Sequence, residues 1–134
     1  MKPGGWLQQL PGKKTTVTWL VTLGRVGYGV GLIGAPGLLI GLCGQRPGRW
    51  DCTVARVLGV RHLAQAAITV AAQRSDADRL LVLSGGAAVD LLHAGSMVAL
   101  GTVDERVRRS TLTDAAVETA LATAGALAAA IPAD

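Results

Sequence analysis

Apolar residues are gathered into four long runs along this chain, and short polar segments separate the runs. The apolar runs cover approximately residues 16–35, 53–72, 79–101 and 112–131. A helix of about 20 apolar residues crosses the hydrocarbon core of a bilayer, so each run has the length of a transmembrane helix. The pattern predicts an all-α protein in which residues 15–134 form a four-helix transmembrane bundle.

Proline and glycine predict where these helices end and where they approach one another. Pro36 lacks a backbone donor, so we expect the first helix to be broken or kinked there. Residues 1–14 are interrupted by Pro3, Pro11 and several glycines, which predicts an interfacial or disordered N-terminal arm. Gly27 and Gly31, four residues apart, are predicted to let a second helix approach closely.

Capping residues indicate where the later helices begin. Asp51 is a candidate cap for the second helix, and Ser75 or Asp76 for the third. Thr111 and Asp114 have the spacing of a capping box, so Asp114 is expected to cap the fourth helix. Glu118, one turn further along the fourth helix, is expected to face either the lipid headgroups or the interior of the bundle.

Each apolar run also carries polar residues at helical spacing, so that they share one face of their helix. A charge at the bilayer centre costs on the order of 3 kcal/mol on insertion scales. Four polar faces are hidden from lipid only if they face one another, which predicts a polar seam inside the bundle. Its predicted members are Arg25, Tyr28, Arg61, Gln65, Asp90, His93 and Glu118.

Asp90 is the central acidic residue of the seam, and we expect it to pair with Arg61 or Arg25. His93 lies one turn from Asp90 and is either a packing residue or a proton donor to it. His62 is expected to be a hydrogen-bonded packing residue. A haem held by His62 and His93 is disfavoured, because their expected depths differ by roughly 6 Å.

Composition supports the membrane interpretation. Half of the residues are hydrophobic, 16% are charged and the mean hydropathy is +0.41, whereas about 25% of residues are charged in ordinary soluble domains. The net charge of +4 comes from short separate basic clusters without interleaved aromatic residues. We therefore expect a lipid bilayer as partner and no nucleic acid. Lys and Arg counts are equal on the two sides, five against five, and leave the orientation open.

The sequence offers little catalytic chemistry. Cys43 and Cys52 bracket one loop and could form a disulfide if that loop faces an oxidising compartment, or stay reduced if it faces the cytosol. No Cys or His spacing predicts a metal, the glycine strings follow no strand, and Ser84 and Ser96 lack a nucleophile elbow. We expect no cofactor and no metal, and the residues favour a non-enzymatic role.

Three segments carry a resemblance to a known group: GRVGYGVGLIGAPGLLIGL, ARVLGVRHLAQAAI and VDLLHAGSMVAL. Over about residues 23–125 the chain resembles small, mostly uncharacterised four-helix membrane proteins of actinobacteria that are loosely similar to the DoxX-like group. The resemblance implies a four-span membrane protein and brings no reaction with it. The residues that carry it are Arg25, Tyr28, Ala35, Pro36, Gly37, Gly59, Val60, Arg61, His62, Gln65, Asp90, His93 and Met97.

Three functions remain open at this stage. The first is a multi-pass cell membrane protein with a structural or accessory role, whose partner is a membrane protein complex or a second copy of the chain. The second is a small transporter, or a lipid- or anion-binding bundle, that uses the same polar seam. The third is a soluble all-α protein, because the second and fourth runs are only marginally apolar.

Overall fold

The computed structural model describes residues 13–131, with side chains from residue 16 onward. Within this range the chain is all-α, as predicted, and contains no strand. It has five helices where four were expected. Most of the predicted N-terminal arm, residues 1–12, lies outside the described residues. The helices are α1 (Lys13–Gly34), α2 (Pro36–Leu42), α3 (Arg49–Ala72), α4 (Asp76–Val103) and α5 (Arg108–Ala130).

The first helix is interrupted immediately before Pro36. Ala35 has φ −138° and ψ 51°, outside the helical region, and Pro36 is the first residue of α2. This follows from the proline ring, which disfavours the helical conformation in the residue before it and suits the first position of a new helix. α2 then ends at Leu42, and Gly44 in the turn that follows has a φ of +77°, which is readily adopted only by glycine. The segment after the break is therefore a separate short helix.

Helix starts differ from two of the predictions. α3 begins at Arg49, earlier than expected, so Asp51 is not the N-cap residue; its carboxylate instead accepts a hydrogen bond of 2.7 Å from the Gly48 amide. α4 begins as expected, because the Ser75 hydroxyl accepts a hydrogen bond from the Asp78 amide at 3.3 Å. α5 begins at Arg108, which places Asp114 in its second turn and excludes it as a cap.

The four long helices pack in two pairs, α1 against α3 and α4 against α5, and contacts of α1 with α5 and of α3 with α4 join the pairs. α1 and α3 cross at Gly29 and Gly59. A Cβ atom on Gly29 would lie 2.8 Å from the Gly59 carbonyl oxygen, and one on Gly59 would lie 2.7 Å from the Gly29 oxygen. Only glycine at both positions permits this approach.

The glycine pair expected to form this contact is not the one that forms it. A Cβ atom on Gly27 would meet nothing within 4 Å, and one on Gly31 would meet Leu39 of α2. The prediction was wrong because the rotation of α1 turns Gly29, between the two, towards α3. Spacing alone does not reveal that rotation.

Apolar and polar side chains are distributed in the reverse of the usual order for a water-soluble domain. Among the described residues, twenty-three large apolar side chains are exposed, including Leu42, Leu81 and Leu92 at more than 70%. The buried apolar residues are eight alanines and only three larger side chains, Val21, Leu32 and Leu83. Nine polar or charged residues are buried with them: Thr18, Thr22, Arg25, His62, Thr69, Arg79, Asp90, Thr111 and Glu118.

Two helical segments among the described residues are long and apolar enough to cross a membrane, Thr16–Gly34 and Asp76–Val103. Their most apolar stretches are only 33% and 22% buried within the protein. α3 and α5 are of similar length but carry more polar residues.

Candidate functional site

The centre of the protein contains a connected set of charged side chains, which we call the polar seam. Asp90 on α4 is fully buried and accepts hydrogen bonds from three neighbours. Arg25 of α1 contacts Oδ2, while Arg61 Nη2 and Gln65 Nε2 of α3 contact Oδ1 at 2.6 and 3.0 Å. The expected choice between Arg61 and Arg25 does not arise, because Asp90 binds both.

The position of Arg25 depends on a glycine in the facing helix. Its side chain is 1% exposed and lies against Gly86, where a Cβ atom would be 3.0 Å from Nη1. Gly86 and Asp90 are four residues apart and so lie on the same face of α4. This face thus supplies both the space for a guanidinium group and its carboxylate.

Arg61 connects Asp90 to a second buried carboxylate of the seam. Besides Asp90 it contacts Glu118 of α5, through Nη1 to Oε1 at 3.1 Å. Glu118 is fully buried, so of its two expected positions it takes the one in the interior. His62 Nε2 lies 3.0 Å from the same Oε1 atom, although the angle is not that of a hydrogen bond.

A second carboxylate on α5 extends the seam towards α1 and α4. The Tyr28 hydroxyl donates to Asp114 Oδ1 at 2.5 Å, and His93 Nε2 lies 2.9 Å from Asp114 Oδ2. His93 therefore contacts Asp114, not Asp90, and lies 3.9 Å from Glu118 Oε1. We call His93, Asp114 and Glu118 the α4–α5 cluster; one ligand atom from each lies within 4.8 Å of the others.

A cavity of about 600 Å³ reaches this cluster. Tyr28, His93 and Asp114 line it together with Gln45, which belongs to the loop between α2 and α3. Most of its wall is apolar, including Leu32, Leu39, Ile40, Leu58, Met97 and Val117. The cavity is thus a mainly apolar space whose polar groups come from the seam.

All seven predicted members of the seam lie in this one connected set. No known protein family, curated protein or solved structure matches the chain. The resemblance to small actinobacterial membrane proteins therefore stays a prediction.

Two residues of the seam were not predicted as members. Asp114 was assigned to helix capping from its spacing to Thr111. His62 was taken for a packing residue, yet it is fully buried against Glu118, whereas Arg61 is 23% exposed. A signal for His62 was present in the sequence, because small residues at 55, 59, 66 and 69 share its helical face and mark the buried side of α3.

The cysteines and the remaining arginines lie apart from the seam. Cys43 and Cys52 are free thiols in this structure, and their pairing in an oxidising compartment stays a prediction. Cys43, just after α2, lines the cavity, and Cys52, on α3, does not. Arg56 is exposed and donates to the Ile33 carbonyl at 3.4 Å. Arg79 is buried near the start of α4, away from the seam, and donates to the Ala128 carbonyl of α5 at 3.0 Å.

Proposed function

We propose that this chain is an integral membrane protein with four spans, α1, α3, α4 and α5, and that its polar seam holds the spans together. The observation that carries the proposal is the reversed distribution of side chains: large apolar residues on the surface and a charged network inside. In water the exposed apolar surface would drive aggregation, whereas in lipid it requires no further cover.

The seam also supplies the attraction between helices that hydrophobic burial cannot supply in lipid. Lipid tails are as apolar as leucine, so helices associate there through close packing and polar contacts. The Gly29–Gly59 crossing provides close packing, and the Arg25, Arg61, Asp90 and Glu118 contacts join α1, α3, α4 and α5. These contacts support the inclusion of α3 and α5, which are less apolar than the other two.

Membrane fractionation tests the proposal. The full chain, expressed at a low level with a small epitope tag, should sediment with membranes and remain there after extraction with alkaline carbonate. Detergent should release it as a folded helical protein. Recovery in the soluble fraction as a monomer without detergent would contradict the proposal and favour a soluble all-α protein.

Within the membrane we propose an accessory or structural role in a larger assembly, formed with other membrane proteins or with further copies of the chain. The charged side chains of the seam pair with one another, which favours a stabilising function for them. Affinity purification in a mild detergent tests this role. A defined set of co-purifying membrane proteins, or a homo-oligomer, is expected; a monomer without partners would contradict it.

The cavity favours a second candidate function, binding of an apolar molecule with a hydrogen-bonding head group. Its apolar wall suits a lipid-like body, and Tyr28, His93 and Asp114 can bind a hydroxyl or carbonyl group. Asp51 and Asp114 are the charged residues among its lining, so an anion is disfavoured. Native mass spectrometry should detect a bound lipid-like molecule that Leu58→Trp removes and Leu81→Trp, on the outer surface, retains. Equal lipid content in all three proteins would exclude this function.

A further inference from the structure

We propose that His93, Asp114 and Glu118 bind one divalent transition-metal ion of the zinc or manganese class. The ligands come from two adjacent helices, one imidazole from α4 and two carboxylates, one turn apart, from α5. One nitrogen and two oxygen ligands suit Zn²⁺, Fe²⁺ and Mn²⁺. This set was not predicted from the sequence, because Asp114 and Glu118 lie 21 and 25 residues from His93 along the chain.

The spacing of the ligand atoms fits a single ion. Ligands about 2.1 Å from a metal lie roughly 3 to 4 Å from one another in tetrahedral or octahedral geometry. His93 Nε2 is 2.9 Å from Asp114 Oδ2 and 3.9 Å from Glu118 Oε1. All three atoms lie within 4.8 Å of one another, so small side-chain rotations would bring them around one ion.

Charge provides an independent argument. The seam contains three carboxylates, Asp90, Asp114 and Glu118, and two guanidinium groups, Arg25 and Arg61. Both arginines contact Asp90 and one contacts Glu118, whereas Asp114 contacts no arginine or lysine among the described side chains. With His62 and His93 neutral, three carboxylates against two guanidinium groups leave an excess of one negative charge, which lies at the α4–α5 cluster. A bound cation compensates this charge in a poorly solvated site.

His62 provides a second independent observation. Its side chain is fully buried, and neither ring nitrogen makes a hydrogen bond. Its Nε2 atom faces Glu118 Oε1, the atom that the proposed ion would bind. Buried polar atoms in proteins are almost always satisfied, and a water bound to the ion beside Glu118 would supply a partner for this nitrogen.

Neighbouring side chains orient both carboxylates. The Tyr28 hydroxyl donates to the non-ligand oxygen of Asp114, as an outer-shell residue does, and Arg61 donates to Oε1 of Glu118. The cavity is lined by two of the three ligands, His93 and Asp114, and it leaves room for water or a ligand in the remaining coordination positions.

Metal titration of the whole protein tests this proposal. The protein should be purified in detergent without a histidine tag, stripped with EDTA, and titrated with Zn²⁺ and separately with Mn²⁺. We expect one ion per chain by elemental analysis and a raised unfolding temperature. His93→Gln and Asp114→Asn should weaken binding more than about 100-fold, beyond the effect of losing an outer-shell partner. Asp51→Asn, at a carboxylate lining the same cavity, should bind as the wild type does.

Tyr28→Phe keeps the test informative if the ligand variants fail to fold. This variant leaves all three ligands in place and removes one outer-shell hydrogen bond, so affinity should fall about 10- to 100-fold. Binding of less than a tenth of an equivalent of either metal per chain would overturn the proposal. Binding that these substitutions leave unchanged would also overturn it, as would the finding that a proton alone neutralises the cluster. The result is separate from the fractionation test, because the cluster can bind metal in either solvent.

Discussion

Asp90 on α4 and Arg61 on α3 are joined by a contact of 2.6 Å, and Arg25 of α1 occupies the other oxygen of the same carboxylate. A single buried acid thus links three of the four long helices. Glu118 extends the link to α5 through Arg61. No other described carboxylate contacts Arg25, so its contact with Asp90 fixes the position of α1 relative to α4.

Asp90→Asn should destabilise the protein by about 3–5 kcal/mol, the range for removing one partner of a buried ion pair. Arg25 and Arg61 would retain their charges, and Arg25 would have no other carboxylate. The free energy of unfolding in detergent measures the effect. Asp51→Asn is the control, because Asp51 is exposed and its carboxylate contacts only the Gly48 amide.

A double substitution separates the two arginines. Arg25→Gln added to Asp90→Asn should restore part of the lost stability, because it removes the uncompensated guanidinium group. Arg61→Gln added to Asp90→Asn should restore less, since Glu118 then loses its arginine as well. Equal behaviour of the two double variants would show that the arginines are not coupled to Asp90 in this way.

Gly29→Ala and Gly59→Ala should each destabilise the protein by about 1–3 kcal/mol, because the new methyl group would meet a backbone oxygen of the facing helix. Gly27→Ala is the matched control on α1. Its methyl group meets nothing within 4 Å and should stabilise the helix by about 0.5–1 kcal/mol. Thermal unfolding of the three variants in one detergent gives the comparison; losses of equal size would contradict the Gly29–Gly59 crossing.

Leu92→Asp should sharply reduce the amount of protein in the membrane. Leu92 is 74% exposed, and on insertion scales exchanging leucine for aspartate near a helix centre costs about 3 kcal/mol. In a water-soluble protein the same change would improve solubility, so the direction of the effect distinguishes the two environments. Quantitative immunoblotting of membrane and soluble fractions measures it, with Leu92→Ile as the control.

Arg79→Met should lower the free energy of unfolding by about 1.5–3 kcal/mol, the usual contribution of a hydrogen bond to a charged group. Arg79 fastens the start of α4 to the end of α5 through the Ala128 carbonyl. Arg74→Met, at an exposed arginine in the preceding turn, should have little effect. Similar losses in the two variants would argue against this link.

The features that could be predicted from the sequence depend on local backbone chemistry or on the small number of charged residues within the helices. The break at Pro36 follows from the proline ring, and the partners of Asp90 follow because few charges lie at its depth. The role of Asp114 was hidden by a local pattern, since Thr111 and Asp114 mimic a capping box inside a helix that begins at Arg108. The use of Gly29 in place of Gly27 depends on the rotation of α1, which only tertiary packing determines.

Labelling of loops from the two sides of the membrane tests the four-span arrangement most directly. Gln45 Nε2 donates to the Arg106 carbonyl at 2.5 Å, so the α2–α3 and α4–α5 loops lie at the same end of the protein, and the α3–α4 turn with Arg74 lies beyond the other ends of these helices. In a chain with Cys43 and Cys52 replaced by serine, Gln45→Cys and Arg106→Cys should react with an impermeant maleimide from one side of sealed vesicles. Arg74→Cys should react only from the other side. Reaction of all three from the same side would contradict the arrangement.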